Sequence, residues 1–176
     1  MKEARIIEGK DVYLRPLDEG DASGMTNWVN DQEITQYLNI EPPVSEEWER
    51  EWVVSVNKSE TDLVFAIVEK ESDEHIGNVG FHQINRGAEN ANIGIFIGEL
   101  SRQGKGYGTE ALRLAVVYAC STLHVKVIRA MIFASNARSI SLFEKAGFEK
   151  RCVVEKSYLK NKKWIDEVVY EYVCSG

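Results

Sequence analysis

The chain has 176 residues, 44% of them hydrophobic, with three prolines and a net charge of −7. That length suits a single domain spanning 1–176, able to bury about two thirds of its unfolded surface, and the composition excludes a disordered or linker-rich chain. The overall acidity argues against a nucleic-acid binder, which normally shows a basic face, and no apolar run approaches the ~18 residues needed to cross a membrane.

The opening residues Met1-Lys2-Glu3-Ala4-Arg5 lack the apolar core of a signal peptide. Cys120, Cys152 and Cys174 are odd in number and widely spaced, with no C-x-x-C. They read as reduced thiols of a cytoplasmic protein, neither disulfide-bonded nor metal-binding.

In chain order, Val12 to Leu17 alternates as a strand. Asp18 or Asp21 then caps a helix whose inner face is Met25, Trp28 and Val29, and Ile34, Tyr37 and Leu38 mark a second short helical turn. Pro42-Pro43 breaks the chain. Ser45 caps the next helix, with Glu46 and Glu47 in its first turn; Trp48, Trp52 and Val56 recur every four residues, which reads as a buried face. A strand meander follows: Leu63 to Val68, His75 to Ile84 and Ala91 to Ile97. The strongest helical pattern is Thr109 to Ser121, with Tyr107, Ala111, Leu114, Ala115 and Tyr118 on one stripe. Val125 to Phe133 is a largely apolar strand, and Ala137 to Ala146 a helix with Ile140 and Phe143 inward and Gly147 past its end. Val153 to Leu159 and Trp164 to Val173 make a closing hairpin. The predicted order is β-α-α-β-β-β-α-β-α-β-β.

The segment between the fourth strand and the long helix, Arg102-Gln103-Gly104-Lys105-Gly106-Tyr107-Gly108-Thr109, carries the chemistry. Three glycines two apart let the backbone turn sharply and approach a bulky group. A helix start presents unpaired N–H groups and partial positive charge, a ready seat for phosphate or pyrophosphate, and Arg102 and Lys105 add cations. A P-loop requires Ser or Thr directly after Gly-Lys, where this chain has Gly106, and the third glycine of a dinucleotide fingerprint would fall on Thr109. Neither template fits. Charge is also divided: residues 1–74 hold 19 acidic against 7 basic side chains, and residues 75–176 hold 9 against 14. A basic half with a phosphate loop suits an anionic cofactor, and an acidic half suits a cationic amine.

The spacing Gln103-x-x-Gly106-x-Gly108 resembles the acyl-CoA pyrophosphate loop of the GNAT N-acetyltransferase superfamily, and the element order is similar from Val12 to Val173. The nearest look is to the branch of ribosomal-protein N-terminal and spermidine acetyltransferases. It is carried by Leu14-Arg15-Pro16-Leu17, Trp28-Val29-Asn30-Asp31, Ile93-Gly94-Ile95-Phe96-Ile97-Gly98, Asn136-Ala137-Arg138-Ser139-Ile140 and Phe143-Glu144-Lys145-Ala146-Gly147-Phe148. The resemblance implies an α/β (α+β) fold: a mixed, largely antiparallel sheet split between its fourth and fifth strands and flanked by helices. It implies acetyl-CoA as co-substrate and direct acetyl transfer to an amine, with no metal required. The acceptor would be a polyamine or aminosugar-type small molecule, or a protein N-terminus, and a homodimer is a common arrangement among such proteins. The pantetheine arm maps to the backbone of Phe96, Ile97 and Gly98. The pyrophosphate maps to Gln103, Gly104, Lys105, Gly106, Tyr107, Gly108 and Thr109, with Asn136 and Lys145 as further CoA contacts.

At two catalytic positions the sequence departs from that pattern. The tyrosine that protonates the leaving thiolate in spermidine-type relatives is Phe143, and the early fourth-strand glutamate is Asn92. Ser135, or water, is a candidate acid; Ser139 and Ser141 are further candidates that read first as helix-surface residues. His82 and Glu99 are candidate bases, His82 because its intrinsic pKa suits proton transfer near neutrality. Glu33, Tyr37 and Glu41 are candidate amine contacts. The same departures leave a CoA-binding regulatory module with reduced catalysis as the alternative.

Overall fold

The computed structural model describes residues 7–175; the N-terminal stretch where no signal-peptide core is expected lies outside them. The strands are β1 (Ile7–Glu8), β2 (Val12–Pro16), β3 (Leu63–Glu69), β4 (Glu74–Asn85), β5 (Asn90–Ile97), β6 (Val127–Phe133), β7 (Glu149–Lys160) and β8 (Lys163–Val173). The α-helices are α1 (Ala22–Val29), α2 (Gln32–Thr35), α3 (Glu46–Asn57), α4 (Tyr107–Ser121) and α5 (Ala137–Lys145). The two-residue β1 is an addition to the predicted order, too short to leave an alternation signal.

Side-chain alternation along β3 divides the molecule into two cores. Phe65 and Ile67 face a back core closed by α4 and α5, which includes Leu112, Ala115 and Phe143. Val64, Ala66 and Val68 face a front core closed by α1 and α3, which includes Met25, Trp28, Val53 and Val56. Between them runs one eight-stranded sheet in the order β1-β2-β3-β4-β5-β6-β8-β7. Every neighbouring pair is antiparallel except β5 and β6, which are parallel. That parallel pairing is confined to Asn90↔Val127, Ala91↔Ile128 and Asn92↔Arg129. Beyond Asn92 the two strands separate, so the sheet opens in its middle at the split expected between the fourth and fifth predicted strands.

Local chemistry fixes the helix ends. Ser45 Oγ accepts from Trp48 N at 3.1 Å at the start of α3, and Asn136 Oδ1 accepts from Ser139 N at 3.1 Å at the start of α5. Gly147, at φ +94°, closes α5. Asp18, not Asp21, does the capping before α1, accepting from Gly20 N at 2.8 Å. Asp21 instead takes two bonds from Arg15, each 2.7 Å, with His75 Nδ1 at 3.2 Å. Burial would raise this carboxyl, but Arg15 and His75 outweigh it and hold Asp21 well below the usual carboxylate range.

Two expectations need correction. The thiols of Cys120 and Cys174 are joined in a disulfide, while Cys152 is free and exposed. The end of β8 returns beside the end of α4, bringing Cα atoms 54 residues apart in sequence to 5.5 Å, a juxtaposition that spacing cannot reveal. The buried face of α3 is Glu49, Val53 and Val56, so Trp48 turns outward and is 50% exposed.

Candidate active site

The opening between β5 and β6 continues into a cleft of about 1350 Å³ that runs from the back of the sheet to the front. It is built by the loop after β5, the turn from β6 into α5, the inner sides of α1 to α3, and strand side chains that include His82 and Glu167.

Gly104 and Gly106 sit at φ +74° and +91°, and no atom lies within 4 Å of where a Cβ would stand on either. Glycine is required there by backbone conformation, and the space beside it is open. Helix α4 begins at Tyr107, two residues earlier than expected, so Gly108 and Thr109 belong to its first turn. Glu110 N is the first amide of the turn to meet a carbonyl, Gly106 O at 3.0 Å; those before it have no intrahelical acceptor and stand at the positive end of a 15-residue helix.

The loop is braced from both sides. Gln103 Nε2 donates to Ile97 O at 2.8 Å, and Arg138 on the opposite wall donates to Gln103 Oε1. Underneath, Tyr107 Oη donates to Glu69 Oε1 at 2.6 Å, Ser72 Oγ to Glu69 Oε2 at 2.5 Å, and Arg102 lies 3.0 Å from both Glu69 and Glu74. Hydrogen bonds from Ser72 and Tyr107, with Arg102 nearby, keep the Glu69 carboxyl below its usual range. Arg102 is therefore neutralised at the loop's base. The cations left for an anion are Lys105, exposed beside the loop, and Arg138 and Lys145 on the facing wall.

Ser135 and Asn136 stand at the end of β6, on the lip of the opening. Asn136 spends Oδ1 on its cap and keeps its amide group for the cleft. Phe143 is buried and stacks edge-on to Phe148 at 4.9 Å, a packing residue as its lack of a hydroxyl requires. Gly98 is buried under the Trp28 ring, which a Cβ would meet at 2.1 Å.

On the front side, His82 projects from β4 into the cleft, and its Nδ1 lies 2.9 Å from Asp62 Oδ1. Asp62 also accepts from Ser59 and Thr61; burial raises its carboxyl, but the bond with His82 and then those from Ser59 and Thr61 prevail and it lies low. An Nδ1–H donated to that carboxylate leaves Nε2 with its lone pair. Glu33 and Tyr37 line the same side. Glu41 lies off the cleft and acts on Lys160, whose Nζ donates to the carbonyls of Thr35, Leu38 and Ile40 and so ties the β7–β8 tip to the loop after α2. Glu99 is exposed past the end of β5, bonded by Ser101 Oγ at 3.1 Å, and is not part of the cleft wall.

An opened mixed sheet with a glycine loop delivering bare amides to the opening is the layout the GNAT resemblance implies. The description Acetyltransferase (GNAT) domain matches residues 11–149. The chain belongs to the GNAT acetyltransferase family. The Bacillus subtilis protein named Probable N-acetyltransferase YjcK is 32% identical over 93% of this chain and 94% of its own length. The [Ribosomal protein uS5]-alanine N-acetyltransferase of Escherichia coli is 32% identical over 64% of this chain and 58% of its own. The spermidine N-acetyltransferase of Vibrio cholerae, solved with CoA and spermine, superposes with a TM-score of 0.87, covering 94% of this chain and 97% of that one at 22% identity. This GNAT protein is accordingly an acetyltransferase with acetyl-CoA as co-substrate.

Several cleft residues of the GNAT chain leave no signal in its sequence. Arg138 lay within a stretch quoted for the resemblance, but nothing in the sequence pairs it with Gln103. Glu167 on β8 is 6% exposed, accepts from Ser157 and stands beside Phe133 in the register; it read as one more charged residue of a hairpin. Glu49 was hidden inside a run of exposed acids. Its burial depends on how α3 is rotated.

Proposed function

We propose that this chain is an N-acetyltransferase that carries the acetyl group of acetyl-CoA to a primary amine, of a small molecule or a protein N-terminus, in one ternary complex. The observation that carries the reading is the cleft itself. Its back end offers unpaired amides and cations, and its front end, on the acidic half, offers carboxylates and aromatic rings. The open space at Gly104 and Gly106, with Lys105, Arg138 and Lys145 around it, fits a pyrophosphate. Acetyl-CoA when bound supplies an acyl thioester that is already activated.

The protein's own tasks are then few. The main chain of β5 beyond Asn92 lacks a β6 partner and is free to hold the pantetheine arm, with an N–H for the thioester oxygen. His82 Nε2, with Nδ1 fixed by Asp62, takes the proton released as the amine nitrogen bonds to the acyl carbon. Glu99, outside the cleft, leaves that role to His82. Ser135 Oγ, on the lip of the opening, would pass a proton to the departing sulfur while taking one in from solvent water at the cleft mouth. Glu33 and Tyr37 draw the cationic acceptor to the front side.

The test is thermal unfolding with acetyl-CoA, then free-thiol release on a panel of amines including spermidine and an alanine-leading peptide. At ~100 times Kd, acetyl-CoA is expected to add about 2.7 kcal/mol of stability. No shift at millimolar acetyl-CoA contradicts the reading. A shift without thiol release on any amine favours the CoA-binding module instead.

A further inference from the structure

Six polar or charged side chains are buried among the described residues: Arg15, Thr35, Glu49, Glu69, Asn78 and Glu167. Five have partners. Arg15 is bonded to Asp21 at 2.7 Å, Thr35 Oγ1 donates to Asp31 O at 2.9 Å, and Asn78 Oδ1 meets His75 Nε2 at 2.7 Å. Glu69 takes Ser72 and Tyr107, and Glu167 takes Ser157. Glu49, 2% exposed, is the exception: no donor or cation among the described residues meets its carboxyl.

The position makes that exception informative. Glu49 stands one turn ahead of Val53 on the buried face of α3, where the front core ends and the cleft begins, and it forms part of the cleft wall. Around it on that wall are Met25, Val29, Trp48 and Trp52. A leucine there would continue the core without the penalty of a desolvated carboxylate. A carboxylate held without a partner beside an open cleft is prepared for a cation from outside, and aromatic walls favour an ammonium as well. Burial alone pushes this carboxyl above its ordinary range, the direction expected of a group whose counter-charge has yet to arrive.

We propose that Glu49 is the side chain that receives the ammonium group of the acceptor at the front end of the cleft. The assignment rests on the reading of the acceptor as an amine. It makes Glu49 a binding and positioning residue, distinct from the proton-accepting role given to His82.

The experiment compares wild type, Glu49→Gln and Glu49→Leu for stability and for binding of acetyl-CoA, spermidine, tyramine and an alanine-leading peptide, by calorimetric titration. Thiol release supplies KM for any amine that turns over. Glu49→Gln is expected to weaken amine binding and raise the amine KM at least tenfold, leaving acetyl-CoA binding within twofold. Glu49→Leu is expected to unfold at a higher temperature than wild type yet lose the amine, a combination that a merely structural carboxyl would not give. Unchanged amine affinity in both variants overturns the proposal, as does a wild type that binds acetyl-CoA but none of the amines. A Glu49→Leu protein less stable than wild type also counts against it, since that would reveal an internal partner. Failure to bind acetyl-CoA at all would sink the cofactor reading instead. Amine binding that depends on Glu49 without thiol release upholds this proposal and removes the catalytic one.

Discussion

Gly98 and Gly106 are glycines for opposite reasons. At Gly106 the backbone lies at φ +91° with open space beside it, whereas at Gly98 the Trp28 ring occupies the place of a side chain. Gly106→Ala is expected to cost about 1–2 kcal/mol through the left-handed conformation and to weaken acetyl-CoA binding, because the loop can relieve the strain only by moving its amides. Gly98→Ala is expected to cost about 1–3 kcal/mol by overpacking, displacing Trp28 from its edge-on contact with His75 at 4.9 Å. Urea unfolding, with an acetyl-CoA titration of each variant, checks both. The need at Gly106 was legible because the G-x-G-x-G run demands an unusual backbone wherever it folds. The packing reason at Gly98 was not, since the ring that fills its space comes from a residue 70 positions earlier in the chain.

Helices α3 and α5 show how far pattern carries at the next scale. The cap, inner phenylalanine and terminal glycine of α5 appear as the spacing predicts, because each depends on residues within a few positions. On α3 the aromatic residues at four-residue spacing were read as core, yet the helix turns Glu49, Val53 and Val56 inward and leaves Trp48 at the cleft. Periodicity finds a stripe; it cannot tell whether core or ligand covers it. Asn136 separates two roles within one element. Asn136→Ala should destabilise by about 1 kcal/mol through loss of the cap. Asn136→Asp keeps the capping oxygen but removes the amide donor, so it should retain near-wild-type stability while raising the acetyl-CoA KM several-fold. Denaturation midpoints and thiol-release kinetics of the two variants are the measurements.

Over the whole molecule, the order of elements along the chain was legible from periodicity and turn residues, and the central split only through the family resemblance. The Cys120–Cys174 link was not, because it depends on segments 54 residues apart meeting at the periphery, and the short β1 was not, because two residues beside β2 leave no alternation to read. The layers are also tied by hydroxyl-to-carboxylate bonds. Tyr170 on β8 donates to Glu144 on α5 at 2.7 Å, and burial, with that bond, raises its hydroxyl to about 12. Its folded value lies above the value near 10 of an unfolded tyrosine, so its contribution to stability is complete below about pH 10 and is lost as pH rises through about 12. Tyr107, raised first by its bond to Glu69, acts in the same direction. Melting curves between pH 9 and pH 12 should fall steeply for wild type and more gently for Tyr170→Phe, which has no proton to lose.

The early end of the β5–β6 ladder has a consequence for how such a protein can change. On the proposed reading, whatever enters the gap meets peptide groups and a turn whose geometry glycine dictates, so much of donor recognition would be written in main chain. Acceptor recognition, on the same reading, would be written in side chains borne on helices at the other end of the cleft. The two vocabularies would then scarcely overlap, and replacing residues on the helical side would redirect such an enzyme to a new nucleophile while its hold on the donor stays intact.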